Sequence, residues 1–198
     1  MPNKELQEQR MKGYFIQSTK ELLRGEGLRA VSVRNIAEQA GYSYATLYNY
    51  FRDVNDLIFE CVKDFQEECE AIVLEETKSI PRGTERLKGI VTSYAKYFVQ
   101  YPGIFELFFI ERVSDISRQT HSIDLIDSFL DRLCSEEWDY CLQAGIFEEE
   151  EAERIQDLLK YTVTGLLLFY INRKKPETYA DFIRIMDGQM NHLLQRGG

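Results

Sequence analysis

The chain of 198 residues has few of the features that mark an exported, membrane-embedded or metal-built protein. Its four cysteines stand eight apart (Cys61, Cys69) and seven apart (Cys134, Cys141), which matches neither zinc-site nor redox-motif spacing. They read as small hydrophobes in a reduced cytoplasm. The two histidines, His121 and His192, have no metal-ligand pattern around them, so no metal is expected. The most apolar run, Val163 to Ile171, is about half of the ~20 residues that a membrane helix needs. The opening residues are polar and carry no signal-peptide pattern. A cytoplasmic protein with no membrane partner is the expectation. With only four prolines and little alternation of β-branched residues, the fold class expected is all-α. There is no glycine-rich phosphate loop, no nucleophile elbow and no carboxylate pair distinct from helix surface charge. An enzyme is therefore not expected, and no cofactor is implied.

What is present is concentrated between Val31 and Phe51. Ser32 can cap a short helix whose Val33, Ile36, Ala37 and Ala40 fall on one face. Gly41 stands where that helix must stop, in a left-handed conformation that glycine takes without strain. Ser43 can cap a second short helix whose inward side is Leu47 and Phe51. Tyr44, Ala45, Thr46, Asn49 and Tyr50 are left pointing outward. Two helices joined by a glycine-containing turn make a helix-turn-helix, whose second helix enters a DNA major groove.

The order of residues is more specific than the pattern. Ser32-Val33-Arg34-Asn35-Ile36-Ala37, Ala40-Gly41-Tyr42-Ser43, Leu47-Tyr48-Asn49-Tyr50-Phe51 and Leu57 resemble the DNA-binding signature of the TetR family of bacterial transcriptional regulators. The resemblance is sharp over roughly the first sixty residues and rests on length and helical layout beyond them. It implies that Ser43, Tyr44, Ala45, Tyr48, Asn49 and Tyr50 work at the DNA. From side-chain chemistry, Tyr44, Thr46 and Asn49 are candidates for base edges, since asparagine pairs with adenine and methyl or ring groups suit thymine. Ser32, Arg34, Ser43, Tyr48 and Tyr50 are candidates for phosphate contact. Two positions depart from the family: Val54 stands where lysine is common, and Tyr44 where lysine or proline is.

Net charge is −9, which taken whole opposes a nucleic-acid partner. The charge is uneven. Residues 1–52 hold eight basic and five acidic side chains, whereas 53–198 hold sixteen basic and twenty-eight acidic. Duplex DNA would be repelled by the second part, so DNA contact is expected only within the first. The expected domains are thus 1–52, a three-helix DNA-binding domain, and 53–198, a helical effector-binding and dimerisation bundle, with about nine helices in all.

In the second part, helical periodicity runs through 55–78, 84–101 and 102–110. A polar loop is expected over Val113–Thr120, then one helix through Ile123, Ile126, Leu130, Cys134, Trp138 and Cys141. Two more follow, over 148–171 and 179–193. Tyr94, Tyr97, Phe98, Tyr101, Phe105, Phe108 and Phe109 form an aromatic set that fits either plain core or the lining of a small-molecule pocket, with Glu106 as its polar group. Val163, Leu166, Leu167, Tyr170, Phe182, Met186 and Met190 offer more apolar surface than one helix pair needs. In TetR-like proteins the last two helices pack against a mate, so these seven are the expected homodimer interface.

The function expected is a ligand-responsive regulator, a repressor released from double-stranded operator DNA by an apolar or aromatic effector of unknown identity. The alternatives are a constitutive helix-turn-helix repressor whose second domain only dimerises, and an all-α ligand carrier or enzyme.

Overall fold

The computed structural model describes the backbone of residues 2–110 and 120–195 and the side chains of 4–110 and 124–195. Among these residues every regular element is helical, as the sequence implies. The order is α1 (Pro2–Glu26), a 3-10 turn (Leu28–Ala30), α2 (Val33–Ala40), α3 (Tyr44–Tyr48), α4 (Val54–Thr77), α5 (Thr84–Gln100) and α6 (Pro102–Phe109), followed by α7 (Thr120–Asp127), α8 (Phe129–Gln143), α9 (Glu149–Arg173) and α10 (Tyr179–Leu194). The expected single helix from Ile123 to Cys141 is interrupted at Ser128, which separates α7 from α8. Asp127 and Ser128 are weak helix formers, and the Ser128 hydroxyl bonds the Arg132 side chain of the next turn. The expected polar loop Val113–Thr120 lies outside the described residues except for Thr120, which opens α7.

The chain divides into two compact units, Met1–Glu67 with Tyr101–Ile126, and Glu68–Gln100 with Asp127–Gly198. In the first, α1 packs on α2 and α6, and α2 packs on α3. The core is Phe15, Leu22, Ile36, Leu47, Phe51 and Leu57, with Met11, Val33, Tyr50 and Val54 packed against it. The valine found in place of the family's lysine is thus spent on the core. Asp53 starts α4 by accepting the Asp56 amide at 3.0 Å. Gly103 allows the close approach of α6 to α1. A β-carbon there would overlap the Leu23 carbonyl oxygen and stand 3.3 Å from the Gly27 Cα.

In the second unit α5 packs on α8, α9 and α10, and α9 packs on both α8 and α10. Glu137, only 4% exposed, ties α8 to the connection before α5. Its carboxylate accepts the Gly83 amide at 2.8 Å and the Arg82 guanidinium at 2.9 Å, with Arg86 at 3.4 Å.

Of the seven residues expected at a dimer interface, five are buried within the protomer. Val163, Leu167, Phe182, Met186 and Met190 are all at most 1% exposed, and the Tyr170 ring lies tilted against Phe182 at 4.7 Å. Leu166 is half-buried. Two adjacent amphipathic helices satisfy their most apolar rows against each other and the core first. The row left outward on α9 is Leu158, Tyr161, Leu168 and Phe169, with Gly165 between them.

Candidate nucleic-acid interface

The short helices around the α2–α3 turn are held by side-chain caps at both starts. Ser32 Oγ accepts the Asn35 amide at 3.1 Å, and the Asn35 side-chain amide donates to the Ala30 carbonyl at 2.8 Å, securing the preceding turn. Gly41, at φ 74° and ψ 25°, closes α2 in the left-handed region. The Tyr42 amide then donates back to the Ala37 carbonyl at 2.9 Å. Ser43 Oγ accepts the Thr46 amide at 3.2 Å and shares a 2.9 Å hydrogen bond with Thr46 Oγ1. One bond between two hydroxyls uses one proton, so the pair keeps one to donate outward. Ser32 likewise accepts through its oxygen and keeps its proton.

Five residues cannot make a stable helix alone, so α3 exists because Leu47 and Phe51 are locked in the core. That anchoring sets its outer face. Tyr44 is 66% exposed and Tyr48 53%, while Ala45 and Asn49 are also exposed. Thr46 is half-buried by its bond to Ser43. Tyr50 is half-buried too, its ring 6.2 Å from Phe15, so it presents an edge rather than a whole side chain. Arg34 projects from α2 and is exposed. The nine candidates for DNA contact therefore share one continuous short segment and are all at least partly reachable by solvent.

Tyr14 and Tyr42 escaped the sequence reading, although both rings lie beside this segment. They pair at 6.1 Å between centroids, and Tyr42 rests on Phe15 at 5.7 Å. Tyr42 could have been noticed as a large ring inside the turn; Tyr14 carried no signal, since a helix surface residue beside a core phenylalanine is common.

The aromatic set expected to line a pocket is shared between the two units. Tyr94, Tyr97 and Phe98 are buried on α5, with Tyr94 edge-on to Phe98 at 4.9 Å. Burial holds the Tyr94 phenol well above its ordinary pKa. Tyr101 precedes α6, where Phe105 and Phe108 are buried and Phe109 lies tilted against Phe105 at 5.1 Å. Glu106 is half-buried, and its Oε2 would meet a β-carbon on Gly27 at 3.3 Å. A different lining surrounds a cavity of about 600 Å³ in the second unit, walled by Val73, Leu74 and Thr77 of α4, Ile90 of α5, and Leu133 and Glu136 of α8. Among the described residues no cluster of three metal-ligating side chains occurs and no helix is long and apolar enough to cross a membrane.

A capped three-helix unit with an outward-facing third helix, joined to a larger all-helical body, is the plan of a helix-turn-helix protein. Residues 15–61 match the family model for bacterial regulatory proteins of the tetR family. The curated HTH-type transcriptional regulator BetI of Escherichia coli (strain K12 / DH10B) is 30% identical over 79 residues, or 39% of this chain and 40% of that protein. The match thus spans about two-fifths of the curated relatives' length. Solved structures share the fold over nearly the whole chain. FadR from Bacillus subtilis, in complex with stearoyl-CoA, superposes with a TM-score of 0.74 at 16% identity, covering 92% of this chain and 97% of that one. A TetR-family protein of Syntrophomonas wolfei gives 0.69 at 18%, covering 94% and 95%. RolR in complex with resorcinol gives 0.65 at 15%, covering 97% and 96%. Residues 15–61 thus match the DNA-binding part of the TetR family, and the chain as a whole has the fold of these solved structures.

Proposed function

We propose that the chain is a DNA-binding transcriptional regulator, a homodimeric repressor that leaves its operator when a small apolar or aromatic molecule binds. The observation that carries this reading is the outer face of α3, where Tyr44, Ala45 and Asn49 stay exposed while Leu47 beneath them is fully buried. The buried base fixes where the exposed tyrosine and asparagine point, as groove contact requires. Asn49 and Tyr44 read base edges; Ser32, Arg34, Ser43 and Tyr48 hold phosphates, with Tyr50 contributing its edge. In this division residues 1–52 are the DNA-binding domain and 53–198 the effector-binding and dimerising part.

The effector site belongs to the helical body, and two linings compete for it: the aromatic set and the cavity beside α4 and α8. The stearoyl-CoA complex of FadR and the resorcinol complex of RolR support an apolar or aromatic ligand class. Ligand binding that favours one pose of the dimer shifts the spacing of the two copies of α3, which must match grooves ~34–36 Å apart. A tenfold loss of operator affinity needs only ~1.4 kcal/mol of differential binding.

Dimerisation uses the outward row of α9. Phe169→Glu is expected to turn a dimer into a monomer in light scattering, whereas a dimer unaffected by it would remove α9 from the interface. The main test is gel retardation with duplex from the chain's own upstream region. Tyr48→Ala should weaken binding to that duplex and to a scrambled one alike, whereas Asn49→Ala should also relax preference at one base pair. A protein that retards neither duplex at low salt is not the regulator proposed. Binding that no small molecule alters would favour a constitutive repressor.

A further inference from the structure

We infer that Tyr14 and Tyr42 belong to the DNA-contacting surface, each donating its phenolic hydroxyl to a backbone phosphate beside the groove that receives α3. The inference rests on the regulator reading and extends its interface onto α1 and the α2–α3 turn.

The first support is how the two rings are held. Phe15 is fully buried and gathers Tyr42, Tyr50 and Phe51 around it at centroid distances of 5.7, 6.2 and 6.4 Å. The Tyr42 ring is in contact both with this anchor and with Tyr14, the latter at 6.1 Å and 32°. The rings are fixed by apolar contact, yet Tyr14 remains 53% exposed and Tyr42 39%. An amphipathic ring arranged this way keeps its body on protein and its hydroxyl in solvent. Among the described residues neither hydroxyl is used in a hydrogen bond inside the protein. Five of the chain's twelve tyrosines, Tyr14, Tyr42, Tyr44, Tyr48 and Tyr50, fall in this one part of the sequence.

The second support is electrostatic. Phosphate contact is usually made by lysine and arginine, but four of the eight cations in residues 1–52 have partners within the protein. Lys12 pairs with Glu8 at 3.0 Å, Lys20 with Asp64 at 3.2 Å and Arg52 with Asp56 at 3.0 Å. The Arg24 guanidinium lies over the rings of Phe65 and Tyr101 at 5.3 and 5.1 Å. On α2 and α3, Arg34 is the only cationic residue. With so little positive charge beside the reading helix, neutral donors must supply phosphate bonds, and a tyrosine hydroxyl is one. Tyr42 immediately precedes Ser43, already placed at a phosphate, so the two hydroxyl donors are adjacent along the chain.

The test uses fluorescence anisotropy of the full-length chain with a labelled duplex from its own upstream region and a scrambled duplex of equal composition. Tyr14→Phe and Tyr42→Phe remove the hydroxyl and keep the ring contacts, so urea midpoints should match the unaltered chain. Each is expected to raise Kd about tenfold or more on both duplexes, as for the loss of a hydrogen bond to a charged group. The slope of log Kd against log salt should not move, because no cation is lost. Arg34→Ala, by contrast, should reduce that slope by about 0.9 for each phosphate contact removed. Kd values within twofold of the unaltered chain for both tyrosine variants would overturn the inference and leave the regulator reading intact. A chain that binds neither duplex would overturn the regulator reading itself, and this inference with it.

Discussion

Replacing Gly103 by alanine adds one methyl group at the closest approach of α6 to α1. The new carbon would overlap the Leu23 carbonyl oxygen and sit 3.3 Å from the Gly27 Cα, against an ordinary contact distance of 3.4–4 Å. Both obstacles are backbone, so no rotamer change relieves them. Relief requires α6 to lift from α1, loosening the burial of Ile104, Phe105, Leu107 and Phe108. Overpacking of this kind costs ~1–3 kcal/mol, and a backbone obstacle places it at the upper end. Alanine returns up to ~1 kcal/mol of helix propensity, leaving a net loss of ~2 kcal/mol. For a chain of this length that lowers Tm by ~4–8 °C, at roughly 2–4 °C for each kcal/mol. Gly89→Ala is the matched control. Its β-carbon would meet the Ile80 Cδ1 at 2.5 Å and the Thr77 Cγ2 at 3.3 Å, both methyl ends of side chains. The Ile80 end can rotate away and alanine again returns up to ~1 kcal/mol of helix propensity, so this chain should be as stable as the unaltered one or slightly more so. Thermal unfolding followed by circular dichroism reads both. A Gly103→Ala chain melting with the unaltered one, or Gly89→Ala falling as far, would refute the reasoning from backbone contact.

Two further expectations concern titratable groups. Burial raises the thiol pKa of Cys61, Cys69 and Cys134 far above the usual range, so a thiol reagent at pH 8 should label these slowly in the native chain and all four cysteines rapidly in guanidinium. Fast native labelling of three or more would contradict the burial. Asp181 has its carboxyl held below the usual value, first by the Arg184 hydrogen bond at 2.7 Å and then by the Thr178 hydroxyl at 2.8 Å. Its folded pKa lies under its unfolded one, so the contribution is complete above the ordinary carboxylate range and lost as pH falls through the folded value. Asp181→Asn should therefore flatten part of the drop in urea midpoint between neutral and acid pH, and an unchanged acid limb would count against the pairing.

Much of the candidate interface was legible because its determinants are local. Ser32, Gly41 and Ser43 act within a few residues of themselves, and the structure places each as cap or helix stop as the spacing implies. Periodicity was enough for the helices of the body, with the exception of Ser128. There the apolar spacing continues across the break, and only the weak helix formers Asp127 and Ser128 hinted at it. Legibility failed where the answer depended on which surface meets which. Val163, Leu167 and Met186 look the same in sequence whether they face a mate or the protomer, and the structure turns them inward. Tyr14 gained meaning only when Tyr42 came to lie against it, although 28 positions separate them in the sequence.

From its sequence alone the chain determines an all-helical fold, a capped helix-turn-helix with Leu47 and Phe51 inward, and the confinement of net positive charge to its first fifty-two residues. These follow from residue type, spacing and chain order, which act over one or two helical turns. Tertiary structure alone decided that α6 rests against α1 through Gly103, that five of the seven expected dimer residues are buried within the protomer, and that Glu137 holds the start of α5 to α8. Each of those joins groups distant in sequence, and their contact energies depend on which of several similar apolar faces meet.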